Sequence, residues 1–192
     1  MKKLILASSS PRRKDLMSRF NIDIEVSSSN IEEKIRENEI PEQIVMSLAF
    51  QKAQDVADRY NNNEIILAAD TIVYKDKVLG KPDNEEEAMD MLMSLNGKEH
   101  LVLTGICLIQ VGTLKKVVSY SKTRVKFRNL SQEKLKRYLS TGEYKDKAGS
   151  YGIQGYGSIL VDWIEGSYSN IVGLPISKVD YLLEKYFDFP LL

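Results

Sequence analysis

Asp70 is a carboxylate in an apolar run: between Ile65 and Tyr74 only Asp70 and Thr71 are polar, with neither glycine nor proline to make the pair a plain turn. An ionised carboxylate is costly to bury unless a cation or metal balances it. Catalytic acids and metal ligands occupy such places; the competing reading is an aspartate that ends a strand and caps a turn. Lys81 follows eleven residues later in "GKP", and a hairpin across "YKDKV" would return it toward the same end of a sheet. Otherwise it is a solvated lysine beside a turn.

A second group lies in "ASSSPRRKDL", residues 7–16. Ser10 is placed to cap a helix that Pro11 begins, and Arg12 and Arg13 fall in its first turn, the end where cations are unfavourable unless an anion is near. Free backbone N–H groups at such an end attract anions. Paired guanidinium forks match phosphate oxygens, so a phosphate chain is a natural ligand. Without one, both arginines are ordinary surface residues.

The third group is "YKDKAGSYGIQGYGS", with glycines at 149, 152, 155 and 157. It lacks the GxxxxGK[ST] phosphate-loop pattern, and no helix follows as a dinucleotide fingerprint requires. Its backbone can approach a ligand closely, Gln154 can both donate to and accept from a planar base edge, and Lys145 and Lys147 flank it. The bland alternative is a glycine-rich turn into the strand "SILVDWI". Glu32, Glu33 and Lys52 read in isolation as solvated charges. His100, the sole histidine, has no partners suggesting zinc or a triad and reads as structural.

Strand-like runs cover residues 3–8, 22–27, 64–74, 101–111, 116–127 and 158–164; helical patterns cover 11–20, 41–60, 84–95, 131–140 and 175–187. Prolines 11, 41 and 175 sit at first-turn positions, and Ser10, Asn84 and Ser131 are the expected N-caps. The order β-α-β-α-β followed by a hairpin across "VGTLKK" predicts an α/β fold with a mixed sheet rather than a purely parallel one. The acidic turn in "DNEEEAMD" favours its helix through the dipole.

At 192 residues and 43% hydrophobic composition the chain suits a single domain spanning 1–192. Its 27 basic and 27 acidic side chains cancel, which argues against a nucleic-acid coat or an anionic-membrane binder and makes any anion binding local. The single cysteine, Cys107, fits a reducing compartment. The opening "MKKLILASSS" has too short an apolar stretch for an export signal, and no run reaches the ~18 residues of a membrane span, so a cytoplasmic location is expected.

In this order, "ASSSPRR", "AADTIV", "GKP", "KAGSYGIQG" and "GSYSNIVGLPIS" resemble the Maf family of nucleoside triphosphate pyrophosphatases, over about residues 3–186. The resemblance implies an elongated central mixed β-sheet flanked by helices, similar to the inosine triphosphate pyrophosphatase fold. It also implies hydrolysis of a nucleoside triphosphate between the α and β phosphates with a divalent metal cation, Mg²⁺ or Mn²⁺; members often form homodimers. Asp70 matches the family's catalytic acid, and Ser8, Arg13, Glu33, Lys52 and Lys81 match its other polar site positions. Arg12, Thr71 and Gln154 stand where members acting on dTTP and UTP have their specificity residues.

On this reading Asp70 and Glu33 hold the metal, Arg13, Lys52 and Lys81 clamp the triphosphate with Ser8, and Arg12, Thr71 and Gln154 read the pyrimidine. Met17 departs from a usual leucine and Glu32 from a common aspartate. The rival readings are a nucleotide-binding regulator of cell division without hydrolysis and a pyrophosphatase for modified or purine triphosphates.

Overall fold

The computed structural model describes residues 3–36 and 38–192. Among the described residues seven strands and six helices run in the order β1 (Leu4–Leu6), α1 (Pro11–Met17), β2 (Ile24–Val26), α2 (Pro41–Ala57), β3 (Ile65–Lys75), β4 (Lys77–Leu79), α3 (Glu85–Leu95), β5 (Glu99–Gln110), β6 (Lys116–Phe127), α4 (Gln132–Leu139), β7 (Val161–Glu165), α5 (Tyr168–Val172) and α6 (Ile176–Phe187). The strands order as β2-β1-β3-β5-β6-β7, with β4 added to β3. Strand β1 is parallel to both β2 and β3, whereas β4 and β7 pair antiparallel with β3 and β6. The sheet is therefore mixed, as the element order predicts.

The residues fall into two compact units. The first comprises the described residues up to Asp70 with Thr104–Ser121 and Gly173–Leu192; the second comprises Thr71–Leu103 and Lys122–Val172.

In the first unit Leu4, Ile5 and Leu6 are fully buried, as expected of a parallel strand with neighbours on both sides. Helix α2 lays Ala49, Ala53, Val56 and Ala57 against Ile5, Ala7, Ile66, Ala68, Cys107 and Ile109. Small residues dominate that helix face because the backbone comes very close. A Cβ built on Gly105 of β5 would lie 1.9 Å from the Val45 carbonyl oxygen of α2. Glycine within a strand pattern signals such an approach.

Helix α2 ends at Ala57, short of the predicted Tyr60, because the chain tightens into i→i+3 bonds from Arg59 N to Val56 O and from Tyr60 N to Ala57 O. At its start Pro41 is the first residue and the Gln43 side chain accepts from Ile40 N at 3.2 Å.

In the second unit α3 and α4 pack Leu92, Leu95, Leu135, Tyr138 and Leu139 with Val73, Val102, Val125, Phe127 and Tyr151. The expected caps are in place: Asn84 accepts from Glu87 N at 2.9 Å and Ser131 from Lys134 N at 3.4 Å. The predicted hairpin at "YKDKV" closes through Asp76 at φ 58°, pairing Lys75 with Lys77 and Val73 with Leu79. Residues 158–160, expected to start the last strand, instead end a 3₁₀ segment, Gly155–Leu160, and β7 begins at Val161.

His100 is structural, as its isolation in the sequence suggests. It is 3% exposed, its Nε2 is 2.8 Å from the Tyr151 hydroxyl, and it meets Phe127 and Tyr151 edge-on. Burial, assisted by the charge of Lys75, lowers its pKa from 6.5 to about 3. Because the unfolded chain takes up a proton near pH 6.5 and the folded chain does not until about 3, this group leaves stability unchanged above 6.5. As the pH falls through that window it removes stability at up to about 1.4 kcal/mol per pH unit. His100→Gln should therefore lose less stability than the parent between pH 7 and 4.5 in denaturant titrations; equal losses would show that His100 titrates normally.

Candidate active site

The first unit assembles five of the expected residues. Strand β1 is followed by α1 and then by β2 on one side, while β3 lies on its other side. The carboxyl ends of β1 and β3 thus form a topological switch point, where open α/β sheets place their ligands. The backbone registers this directly: Leu6 pairs with Leu67, and Ala7 N donates to Leu67 O at 2.8 Å. Ser8 then follows β1, and Asp70 lies three residues beyond Leu67 in the same direction.

Asp70 is 8% exposed. The cation its burial demands is Lys52 of α2, whose Nζ donates to Asp70 Oδ1 at 2.5 Å and lies 2.8 Å from Glu33 Oε1. Asp70 shares strand parity with Ile66 and Ala68, which pack on α2, so strand and helix periodicities together bring Asp70 and Lys52 face to face. Glu33, the most exposed of the three, comes from the irregular segment before α2. One ammonium thus joins two carboxylates that would otherwise repel.

Arg13 completes the group. Its Nε donates to the Gly173 carbonyl at 2.7 Å and its Nη1 to Ser8 Oγ at 3.2 Å. Burial lowers the Arg13 pKa below its ordinary value, Asp70 and Glu33 raise it, and Arg12 lowers it; the guanidinium remains charged at any accessible pH. The contact with Gly173 gives the "NIVGLPIS" motif a physical role that the residue types alone do not reveal: a main-chain acceptor that fixes one edge of the arginine fork.

One expectation is corrected here. Ser10 occupies the N-cap position of α1 but its side chain caps nothing; Ser8 Oγ instead accepts from Ser10 N at 3.2 Å as well as from Arg13. The buried Ser8 hydroxyl, 6% exposed, thus braces the N-cap residue and the arginine without capping the helix itself. Helix α1 itself is seven residues long, shorter than the predicted span.

Thr71, Lys81 and Gln154 belong to the second unit. Thr71 follows Asp70 on β3, so the two side chains leave opposite faces of the strand. The "GKP" turn carrying Lys81 is tied to the glycine-rich loop, since Gly149 N donates to Gly80 O at 2.9 Å. Gly149 is at φ 66°, and a Cβ there would meet Val73 Cγ2 at 2.9 Å. Lys81 is exposed, and Gln154 is half-buried. Lys147, read from the sequence as a flanking cation, is instead a brace: its ammonium donates to the Glu143 carbonyl.

Among the described residues no group of three or more His, Cys, Asp or Glu side chains is arranged to hold a metal, and no helix is long and apolar enough to cross a membrane.

A model of the family described as Maf-like protein matches residues 3–186. A protein of Clostridioides difficile named dTTP/UTP pyrophosphatase is 49% identical over 98% of this chain and 97% of its own. One of the same name from Alkaliphilus oremlandii is 47% identical over the whole of both. Among solved structures, a HAM1 protein from Coxiella burnetii shares the fold at a TM-score of 0.54 and 14% identity, covering 84% of this chain and 81% of that one. With five ordered motifs, a family model spanning nearly all its length and full-length relatives near half identity, the chain belongs to the Maf-like protein family.

Proposed function

We propose that this protein hydrolyses dTTP and UTP between the α and β phosphates, releasing the nucleoside monophosphate and pyrophosphate. The observation that carries the reading is the buried Asp70 carboxylate held by Lys52 at 2.5 Å beside Arg13, an arrangement that balances an acid with cations at the carboxyl ends of parallel strands. Its relatives named dTTP/UTP pyrophosphatase support the substrate class.

In the reaction a water attacks the α phosphorus in line with the bridging oxygen. Asp70 takes the water's proton, the Pα–O bond to the β phosphate breaks, and negative charge passes to the departing pyrophosphate. Fixed cations that meet this charge lower the barrier. Arg13, anchored by Gly173 and Ser8, and Lys52 supply them. Two of the three donors of Lys52 serve Asp70 and Glu33, which leaves one for a phosphate oxygen. Lys81 is assigned a phosphate role, and Arg12, Thr71 and Gln154 the pyrimidine preference, on the family resemblance.

Asp70 and Glu33 present hard oxygen donors on a common cation, a set that suits Mg²⁺ or Mn²⁺ when substrate phosphates and water complete the shell. These two residues would hold such an ion, which would supply Lewis-acid stabilisation of the phosphate charge.

The test is a panel of nucleoside triphosphates assayed for pyrophosphate with Mg²⁺, with Mn²⁺ and with chelator. We expect dTTP and UTP to be cleaved faster than purine triphosphates, and cleavage to stop on chelation. Preference for purine or modified triphosphates would overturn the substrate assignment, and tight binding without cleavage would favour a regulatory nucleotide-binding role.

A further inference from the structure

The second unit contains a carboxylate that the proposed chemistry does not use. Glu143 lies after α4, and both of its oxygens face the glycine-rich loop. Oε2 accepts from Tyr156 N and Oε1 from Gly157 N, each at 2.8 Å; a longer contact of 3.5 Å joins the Tyr138 hydroxyl to Oε1. Paired backbone donors on one carboxylate are charge-assisted bonds, stronger than neutral ones.

The loop is shaped around this anchor. A Cβ on Gly155, itself at φ 61°, would lie 2.4 Å from Glu143 Oε2, and one on Gly157 would lie 2.0 Å from the Gly152 carbonyl oxygen. Residues 152 and 157 therefore close a neck, and Gln154 stands on the short arc between them. Gln154 immediately precedes the 3₁₀ segment whose second and third N–H groups Glu143 holds, with its backbone extended at φ −80°, ψ 161°. Among the described residues its side-chain amide makes no hydrogen bond that would fix it from elsewhere. The backbone on which it stands therefore fixes the point from which the side chain departs.

We infer that Glu143 is a positioning residue for nucleotide selectivity, holding the arc of residues 152–157 so that Gln154 is presented to the base from one fixed backbone position. The inference rests on the proposed role of Gln154 in reading the pyrimidine. Glu143 touches neither substrate nor reacting atoms; it acts through the loop. Neither its type nor its spacing marks it in the sequence, where it is one acid among "TGEYKDK".

The experiment is a double-mutant cycle on the full chain with Glu143→Gln, Gln154→Ala and their combination. For each, kcat and KM are read for dTTP, UTP and GTP, alongside a thermal melt. The amide keeps one acceptor oxygen but turns an NH₂ toward a backbone N–H, losing one of the two bonds. Glu143→Gln should lower kcat/KM for dTTP and UTP roughly tenfold, the equivalent of one such bond, mainly through KM. GTP turnover should change less than about twofold on the same scale. The double variant should match Gln154→Ala alone.

Equal losses on all three nucleotides, or additive losses in the double variant, would make Glu143 a general brace and overturn the inference. A shifted preference in Gln154→Ala with none in Glu143→Gln would overturn it while leaving the role of Gln154 intact. If Gln154→Ala itself leaves preference unchanged, the reading of Gln154 falls and the inference falls with it. Should Glu143→Gln not fold, Glu143→Asp, which keeps the charge but loses reach, takes its place under the same criteria.

Discussion

Asp70→Asn is expected to reduce turnover of dTTP and UTP by roughly 10²–10⁴-fold, the range associated with a positioned general base, while the protein remains folded. The amide is isosteric and still offers an oxygen to Lys52, so the 2.5 Å contact has a neutral replacement. It cannot take a proton from water. Lys52 also keeps Glu33 at 2.8 Å, so the ammonium is not stranded without a counter-charge, the circumstance that makes breaking a buried pair so destabilising. The loss should therefore appear in kcat with a near-parental melting temperature. Near-normal turnover would remove Asp70 from the mechanism; an unfolded variant would mark it as structural.

Gly105→Ala carries the second large effect, and it is one of stability. The added methyl would lie 1.9 Å from the carbonyl oxygen and 2.3 Å from the carbonyl carbon of Val45, and 2.8 Å from Met46 N. These are backbone atoms in the first half of α2, so no rotamer can relieve the clash and the helix itself must move. Overpacking of well-packed interiors costs about 1–3 kcal/mol and sometimes more; with backbone as the obstacle we expect about 3 kcal/mol or more, a fall in melting temperature on the order of 6–12 °C. Because α2 also carries Lys52, activity at permissive temperature should fall too. Gly80→Ala, where nothing lies within 4 Å of the added carbon, is the control for stability. If the two variants melt alike, α2 is not held against β5 by that close approach.

How far the sequence reveals the molecule differs by element. Strand β6 has its predicted bounds, Lys116–Phe127, where β-branched and aromatic residues are frequent and charges alternate with Thr123, Val125 and Phe127 in its second half. Helices α3 and α4 follow from their caps and periodic leucines. By contrast, α5 is five residues long, too short to show a period, and residues 158–160 have the composition of a strand but follow Gly157, whose close approach to Gly152 bends the chain into a 3₁₀ segment.

The site shows the same division. Asp70 is legible by itself because an acid in an apolar run demands a partner. Lys52 and Glu33 read as solvated charges until the fold joins them, since the pairing spans 18 residues between Lys52 and Asp70 and depends on how α2 returns to the sheet. Ser10 takes the N-cap position its spacing indicates, but its side chain makes no capping bond, and the contact of Ser8 with Arg13 is not marked by residue type. Glu143 and the Gly173 carbonyl are invisible to residue type: one is an acid among many charges, the other a main-chain atom.

Isotope labelling reads directly which bond breaks. The purified protein is incubated with dTTP and Mg²⁺ in ¹⁸O-enriched water, and the products are separated for mass spectrometry. Attack at the α phosphorus predicts dTMP carrying one ¹⁸O and unlabelled pyrophosphate, with both formed at least about 10²-fold more slowly by Asp70→Asn. Label in pyrophosphate would place the attack on the β phosphorus, and release of orthophosphate with dTDP would place cleavage at the terminal phosphate; either result contradicts the mechanism.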